Sequence, residues 1–164
     1  MQTDPPLSRV RSLDLADAPA CDAIIASLPD WFGLDEGIRE CAAAVRSEPG
    51  LVFERDGAVI GWAKAGPYAD QHHYYDGVRE ATLYVDRAAR RAGVGRVLLD
   101  ALAGATAQSG AHKLVGKIFT SNEPSIALVK GLGWSEVGVH RRHGTFDGEW
   151  KDVLVVERLL AAGE

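Results

Sequence analysis

Cysteine and methionine are scarce in this chain, whose 164 residues include two cysteines and one methionine. Cys21 and Cys41 do not have the CxxC spacing of a zinc or redox site, so the sequence indicates neither a metal centre nor a disulfide framework. Both cysteines lie in stretches with helical periodicity, which favours a role as small buried hydrophobic residues. We therefore predict no bound metal.

A positive charge excess is also missing, since the formal net charge is -5 and the isoelectric point is about 5.5. A surface that binds nucleic acid needs clustered positive charge, so no nucleic-acid partner is expected. No apolar run approaches the roughly 20 residues of a membrane span, and the polar start with Pro5 and Pro6 lacks the apolar core of a signal peptide. We expect a soluble, cytoplasmic protein without a membrane partner.

Size and composition are those of a globular protein, with 46% apolar and 25% charged residues. A chain of this length fits one domain, here residues 1–164, with a hydrophobic core of its own.

Segments with helical and strand-like patterns alternate along the chain. Asp56-Gly57 separates two apolar runs, which is typical of a tight type I′ hairpin turn. A polar, glycine-rich loop is predicted at 144–149, before the last strand. The predicted order is β-α-α-β-β-β-α-β-α-β-β, which indicates helices layered on a mixed sheet. Strands are expected at 7–13, 51–55, 58–65, 80–85, 113–119, 134–140 and 150–160, and helices at about 17–28, 35–47, 95–107 and 122–130.

The segment from Tyr84 to Leu99 is the most informative part of the chain. A strand ends, arginines follow, and two glycines open an amphipathic helix. A helix N-terminus offers unpaired N–H groups and partial positive charge, so it binds phosphate, and glycine lets the backbone come close. Residue 98 is leucine and no GK[ST] follows, so this is neither a dinucleotide nor a Walker A loop. The alternative is a glycine-rich helix start with surface arginines.

Arg90-x-x-Gly93-x-Gly95 is similar to the R/Q-x-x-G-x-G/A pyrophosphate loop of the GNAT superfamily of N-acetyltransferases. The segment Asn122 to Leu128, followed by Gly131-Leu-Gly-Trp134, resembles the second helix of that family that contacts coenzyme A. The resemblance implies the GNAT fold: a three-layer α/β structure with a mixed, mostly antiparallel central sheet and helices on both faces. It also implies acetyl-CoA as the cosubstrate.

The same resemblance assigns residues to the donor molecule. Backbone amides of residues 91–96 would hold the pyrophosphate, the end of the fourth strand would pair with the pantetheine arm, and Asn122 would hydrogen-bond that arm from the next helix. For Asn122 a helix N-cap is an equally good interpretation, and both can hold. The implied binding residues are Leu83, Tyr84, Val85, Arg90, Arg91, Ala92, Gly93, Val94, Gly95, Arg96, Asn122 and Ser125.

Glu80 is the candidate general base, because an alkylammonium with a pKa near 10 must lose a proton before it attacks a thioester. The segment Glu80-Ala-Thr-Leu-Tyr-Val85 resembles the E-S-T-V-Y-V strand of phosphinothricin-type acetyltransferases, in which the matching Glu is proposed as the base. The alternative is a surface carboxylate paired with Arg79 or another neighbour.

His143 is the second candidate catalytic residue. His140-Arg-Arg-His143-Gly, followed by Gly148-x-Trp150-x-Asp152-Val153, resembles the H-G…G-x-W-x-D-V segment of the same branch. His143 would contact an anionic group of the substrate or take part in proton transfer. A surface loop histidine, and for Trp150 a packing role, are the alternatives.

The chain departs from the family at two places. Many members carry a tyrosine in the second coenzyme A helix as general acid, and Val129 stands at that position here. The segment 28–33 is less similar to the phosphinothricin branch, which leaves the acceptor open. His72-His73-Tyr74-Tyr75 lacks partners at metal-ligand spacing and is interpreted as an acceptor-site loop or as an ordinary aromatic loop.

These observations predict an N-acetyltransferase that acts on the primary amine of a small molecule, such as an amino acid, phosphinothricin or methionine sulfone. Acetylation of a protein N-terminus or lysine, and a non-catalytic acyl-CoA sensor, are the alternatives. The resemblance also implies a homodimer formed through the C-terminal strands.

Overall fold

One mixed sheet organises the computed structural model, which describes residues 7–28, 35–68 and 73–161. Within these ranges seven strands pair in the order β1-β2-β3-β4-β5-β7-β6. The strands are β1 (Ser8–Ser12), β2 (Gly50–Arg55), β3 (Ala58–Pro67), β4 (Val78–Val85), β5 (Lys113–Phe119), β6 (Ser135–Phe146) and β7 (Glu149–Leu159). The helices are α1 (Ala18–Ala26), α2 (Asp35–Ser47), α3 (Val94–Gln108) and α4 (Glu123–Gly131), with short 3-10 turns at Leu15–Asp17, His73–Tyr75 and Arg87–Ala89.

The two central strands, β4 and β5, are the parallel pair in a sheet whose other described pairs are antiparallel. Helix α3 provides the crossover that a parallel connection needs. The pairing runs only from Val78 opposite Lys113 to Glu80 opposite Val115. Beyond that point the strands diverge, and we call this opening the fork.

The two faces of the sheet carry separate apolar cores, because successive strand residues point to opposite sides. On one face α3 and α4 pack over Leu114 and Val156, with Leu98 of α3 fully buried. On the other face α1 and α2 cover Val52 and Trp62. Burying one such side chain stabilises the fold by about 1.5–3 kcal/mol, so helices on both faces hold the sheet rigidly around the fork.

A partly buried ion pair connects β1 to the turn that precedes α1. The guanidinium of Arg11 donates to both carboxylate oxygens of Asp17, at 2.7 and 2.8 Å, and its Nε donates to Glu54 at 2.8 Å. The backbone N–H of Asp14 also donates to Asp17, at 2.8 Å. The bonds from Arg11 hold the pKa of Asp17 below its ordinary value, while Asp17 and Glu54 raise the pKa of Arg11.

The predicted order of elements and the predicted three-layer fold are confirmed. Asp56 and Gly57 have φ values of 50° and 80°, as the predicted hairpin turn requires. The predicted loop at 144–149 is wrong in part. Strand β6 continues to Phe146, and a tight turn at Asp147 and Gly148 leads straight into β7. This end of the hairpin is largely exposed. Its residues are therefore polar and lack the apolar pattern from which a strand is predicted.

The predicted loop at 30–33 lies outside the described residues. No helix among those described is long and apolar enough to cross a membrane.

Candidate active site

A cleft of about 700 Å³ opens at the fork. Its walls are the diverging ends of β4 and β5 and the N-terminal turns of α3 and α4. The cleft contains eleven of the twelve residues that the sequence assigned to the donor, and also Glu80. Ala92 is exposed in the loop before α3 and does not line the cleft.

The loop before α3 has the backbone shape of an anion site. Arg91 and Gly93 both have positive φ, at 62° and 78°, and Gly93 is the N-cap of α3. A glycine N-cap has no side chain to bond the first N–H groups of the helix, so these groups remain available to a ligand. Their partial positive charge, together with the neighbouring Arg90 and Arg96, suits a pyrophosphate.

Gly95 lets the first turn of α3 lie close to β4 and α4. A Cβ atom there would stand 3.0 Å from the Leu128 side chain and 3.3 Å from that of Leu83. Arg96 in turn donates to the carbonyl of Gly131 at the end of α4, at 3.4 Å. The end of the cleft that suits a pyrophosphate is therefore attached to both helices that border it.

The end of β4 borders the cleft along its side toward β5. Leu83, Tyr84 and Val85 pair with β3 along one edge, while the edge toward β5 has no partner strand beyond Glu80 among the described residues. Backbone N–H and C=O groups along that edge can bond a ligand that carries amides, as an added strand would. The pantetheine arm of coenzyme A has this chemistry.

Asn122 caps α4 at the opposite wall of the cleft. Its Oδ1 accepts from the N–H of Ser125 at 3.2 Å, which confirms the N-cap interpretation. The Nδ2 group of an asparagine remains a donor when Oδ1 is used in this way. Asn122 and Ser125 both line the cleft, so contact with the donor stays a prediction that this geometry permits.

Glu80 lies at the vertex of the fork, on the sheet face that α1 and α2 only partly cover. Its Oε2 is 3.0 Å from Nζ of Lys117, and both side chains line the cleft. The partner expected from the sequence was Arg79 or another neighbour, and the structure identifies it as Lys117 on β5. Sequence reasoning missed this residue, although a lysine inside the apolar run KLVGKIF was a usable signal.

Tyr84 shares a face with Glu80 but has its own neighbours. Its hydroxyl lies 3.4 Å from Sγ of Cys41, and its ring centroid lies 4.8 Å from that of Trp62. Burial raises the pKa of Tyr84 well above its ordinary value, so the phenol is protonated at neutral pH. Val129, at the place of the usual acid, is a buried apolar part of the cleft wall.

His143 lies on β6 and is not part of the cleft lining. Its ring stacks on His140 with centroids 4.4 Å apart. The carboxylate of Asp152 accepts from the N–H of Arg142 at 2.8 Å and so stabilises the positive φ of 49° at that residue, inside the irregular stretch of the β6–β7 pair. Trp150 is 62% exposed. This motif therefore builds a bulged hairpin, and the roles predicted for His143 stay predictions.

The aromatic loop is described from His73 onward, and His72 lies outside the described residues. His73 bonds to Asp76 at 3.0 Å, and the ring of Tyr75 meets that of Tyr68 edge-on at 6.1 Å. Nζ of Lys117 lies 5.9 Å from the Tyr68 ring centroid, so these aromatic residues lie next to the part of the cleft that contains Glu80. The residues that the structure describes contain no group of three or more His, Cys, Asp or Glu that could hold a metal ion.

Comparison with known proteins gives consistent results. Residues 14–134 match the sequence model of the acetyltransferase (GNAT) family. The phosphinothricin N-acetyltransferase of Streptomyces viridochromogenes is 36% identical over 105 residues, which cover 64% of this chain but only 57% of that protein.

Two solved structures have the same fold. The ribosomal-protein-alanine N-acetyltransferase of Brucella melitensis has a TM-score of 0.81 at 30% identity and covers 93% of this chain and 99% of its own. The yncA protein of Salmonella typhimurium, solved with its cofactor acetyl-CoA, has a TM-score of 0.82 at 26% identity, with 95% of each chain covered.

Proposed function

Since the chain belongs to the acetyltransferase (GNAT) family, we propose that it transfers the acetyl group of acetyl-CoA to the primary amine of a small, amino-acid-like molecule. One observation supports this most: a single cleft connects an anion-binding helix start with a carboxylate, Glu80. The phosphinothricin N-acetyltransferase named above supports the choice of an amino-acid analogue as acceptor.

The described residues fit acetyl-CoA along the whole cleft. The loop at Arg90–Arg96 suits the pyrophosphate, the edge of β4 that faces β5 suits the amides of pantetheine, and the fork leads the thioester toward Glu80. N–H groups on the same edge of β4 are suitable donors for the oxyanion that forms when the amine attacks.

Glu80 is proposed to take the proton that the ammonium must lose before or during attack. The amine nitrogen then bonds to the thioester carbon, and the C–S bond breaks to release the thiolate of coenzyme A. Because Val129 is apolar, no acid stands at the usual position, and we infer that water protonates this thiolate.

The variant Glu80→Gln tests the base. It keeps the size of the side chain but cannot accept the proton, so kcat should fall by about 10²–10⁴-fold while the KM for acetyl-CoA stays within about twofold. Steady-state thiol release, measured from neutral to alkaline pH, is the readout. Glu157→Gln is the control, because Glu157 forms a similar pair with Lys113, at 2.7 Å, outside the cleft lining. An unchanged kcat in Glu80→Gln would remove Glu80 from the mechanism.

A protein N-terminus is the second candidate acceptor, and the likeness to the Brucella ribosomal-protein-alanine N-acetyltransferase favours it. A panel of amines, amino acids and short peptides, assayed for thiol release, separates the two acceptors. Binding of acetyl-CoA without release on any of them would support the acyl-CoA sensor instead.

We also propose a homodimer. Strand β6 ends the sheet, so its outer edge has no partner among the described residues, and Val137 and Val139 on it are 59% and 51% exposed. Unpaired strand edges readily pair with a second copy of a chain. The single-domain organisation over residues 1–164 and the cytoplasmic location stay predictions.

A further inference from the structure

The ion pair between Glu80 and Lys117 lines the part of the cleft that is proposed to hold the acceptor, and it is accessible to a ligand. We propose that Lys117 binds the carboxylate of the acceptor and thereby selects free α-amino acids, an inference that rests on the proposed acetyl transfer.

The position of Lys117 follows from the fork. Val115 stands opposite Glu80 in the last pair of β4 and β5, and Lys117 follows two residues later on the same face of β5. Its side chain reaches back across the fork to Glu80, at 3.0 Å, and remains 44% exposed. The ammonium also lies over the ring of Tyr68, 5.9 Å from its centroid. Lys117 is thus held in place while its remaining donors face the cleft.

The cations that line the cleft fall into two groups. Among the described lining residues they are Arg90, Arg91 and Arg96 at the pyrophosphate end, and Lys117 beside Glu80. Lys64 lies on the neighbouring strand β3 and bonds to Glu48 at 2.7 Å, outside the lining. An acceptor anion near Glu80 therefore has Lys117 as its cationic partner in this part of the cleft.

The charges of the pair match those of an α-amino acid. Such a molecule carries an ammonium and a carboxylate on one carbon, and the protein presents a carboxylate and an ammonium in contact. When the acceptor ammonium bonds to Glu80 and its carboxylate bonds to Lys117, each charge exchanges one opposite partner for another. No charge is left unpaired, so the exchange avoids the cost of desolvating a lone ion.

An acceptor without the carboxylate disturbs this balance. A simple amine, an amino-acid amide or a peptide N-terminus brings an ammonium to Glu80 and displaces Lys117, whose charge then faces a like charge in the cleft. Hydrogen bonds to charged groups have strengths that correspond to a roughly 10–100-fold preference for the free acid. This argues for amino acids over protein N-termini as acceptors.

The test compares L-methionine sulfone with its primary amide, in Lys117→Met, Lys117→Arg and the unaltered protein. We expect the unaltered protein to favour the acid by about 10–100-fold in kcat/KM. Lys117→Met should lose that preference through a higher KM for the acid and a lower KM for the amide, from which it removes the like charge, and Lys117→Arg should keep most of it. Lys113→Met is the control, since Lys113 is on the same strand but outside the cleft lining.

Calorimetric titration of both compounds into the protein saturated with coenzyme A provides a readout without turnover. Selective loss of acid binding in Lys117→Met supports the proposal even if no thiol is released, in which case the proposed function alone fails. An equal loss for acid and amide would overturn it, because Lys117 would then act only by supporting Glu80. Equal binding of the two compounds to the unaltered protein would also overturn it.

Discussion

At the scale of single residues, the ion pairs of this protein differ in what surrounds them. The Arg11–Asp17 pair is the more enclosed, with side chains 29% and 10% exposed, and it connects β1 to the entry of α1. The Glu80–Lys117 pair lines an open cleft, where a ligand can replace either partner. The first kind of pair contributes to stability, whereas the second is placed for recognition.

Asp17→Asn is expected to reduce the free energy of unfolding at pH 7 by about 2 kcal/mol, because it leaves the guanidinium of Arg11 without its bidentate partner. The pKa of Asp17 is lower in the folded protein than its ordinary value. Its stabilisation is therefore complete above the unfolded pKa of about 3.9 and is lost as the pH falls through the folded pKa. Urea unfolding at pH 7 and pH 3 should show a difference between the two proteins that shrinks in acid.

Asp22→Asn is the matched control for this experiment. Asp22 bonds to Arg46 at 2.6 Å, but both side chains are more than a third exposed, so its loss should destabilise the protein clearly less than the loss of Asp17. Equal losses in the two variants would contradict the role given to the enclosed pair.

At the scale of elements, the loop that enters α3 combines two left-handed residues with a helix start that has no side-chain cap. Its two glycines have different structural roles. Gly93 supplies the positive φ of the N-cap, and Gly95 supplies the space in which α3, β4 and α4 meet. This division explains why the loop requires glycine at both positions, independently of any contact with a ligand.

Gly93→Ala should weaken the binding of coenzyme A by about 5–30-fold. A left-handed conformation costs a residue with a Cβ atom roughly 1–2 kcal/mol, so the loop relaxes and binding must restore it. Gly148→Ala is the control, since Gly148 has a similar φ of 76° and an equally open site, but in the β6–β7 turn. Calorimetric titration measures both affinities. A similar loss of affinity in the two variants would show that backbone strain anywhere in the protein weakens binding. The loop before α3 would then have no special part in it.

Local patterns predicted most of these elements, because turns, caps and periodicity act over a few residues. The Asp56-Gly57 turn and the Asn122 cap are examples. Contacts across the fork could not be found in this way. Glu80 and Lys117 lie on strands joined through α3, and only the register of the parallel pair brings them together. Motif similarity likewise named His143 without indicating that the β6–β7 hairpin keeps it out of the cleft lining.

At the scale of the whole molecule, within the residues that the structure describes, the central pairing of the sheet stops early and the sheet ends at β1 on one side and at β6 on the other. The central interruption forms the cleft, and the β6 edge offers the surface that we assign to a second copy. The two features lie on different parts of the sheet, since β5 and β7 separate β4 from β6. Dimer formation through β6 would therefore leave the fork open.

Val139→Lys should convert the dimer into a monomer without unfolding it. An exposed position tolerates lysine within about 0.5 kcal/mol in the monomer, whereas a charge buried between two copies is costly. Sedimentation equilibrium gives the mass, and circular dichroism checks the fold. Val97→Lys changes a similarly exposed valine on α3, at 46%, and should leave the dimer intact. A monomeric unaltered protein would refute the dimer itself.

The short pairing of β4 with β5 has a consequence for the folded state as a whole. A sheet whose β4–β5 pairing stops at Glu80 and Val115 leaves the end of its central strand without a partner strand on that side among the described residues. In the proposed binding mode, the donor molecule replaces the missing strand and becomes part of the architecture. Binding and folding are then thermodynamically linked: donor at 100 times its Kd adds about 2.7 kcal/mol to stability. The supply of acetyl-CoA in the cell would thus influence how long the protein survives as well as how fast it works.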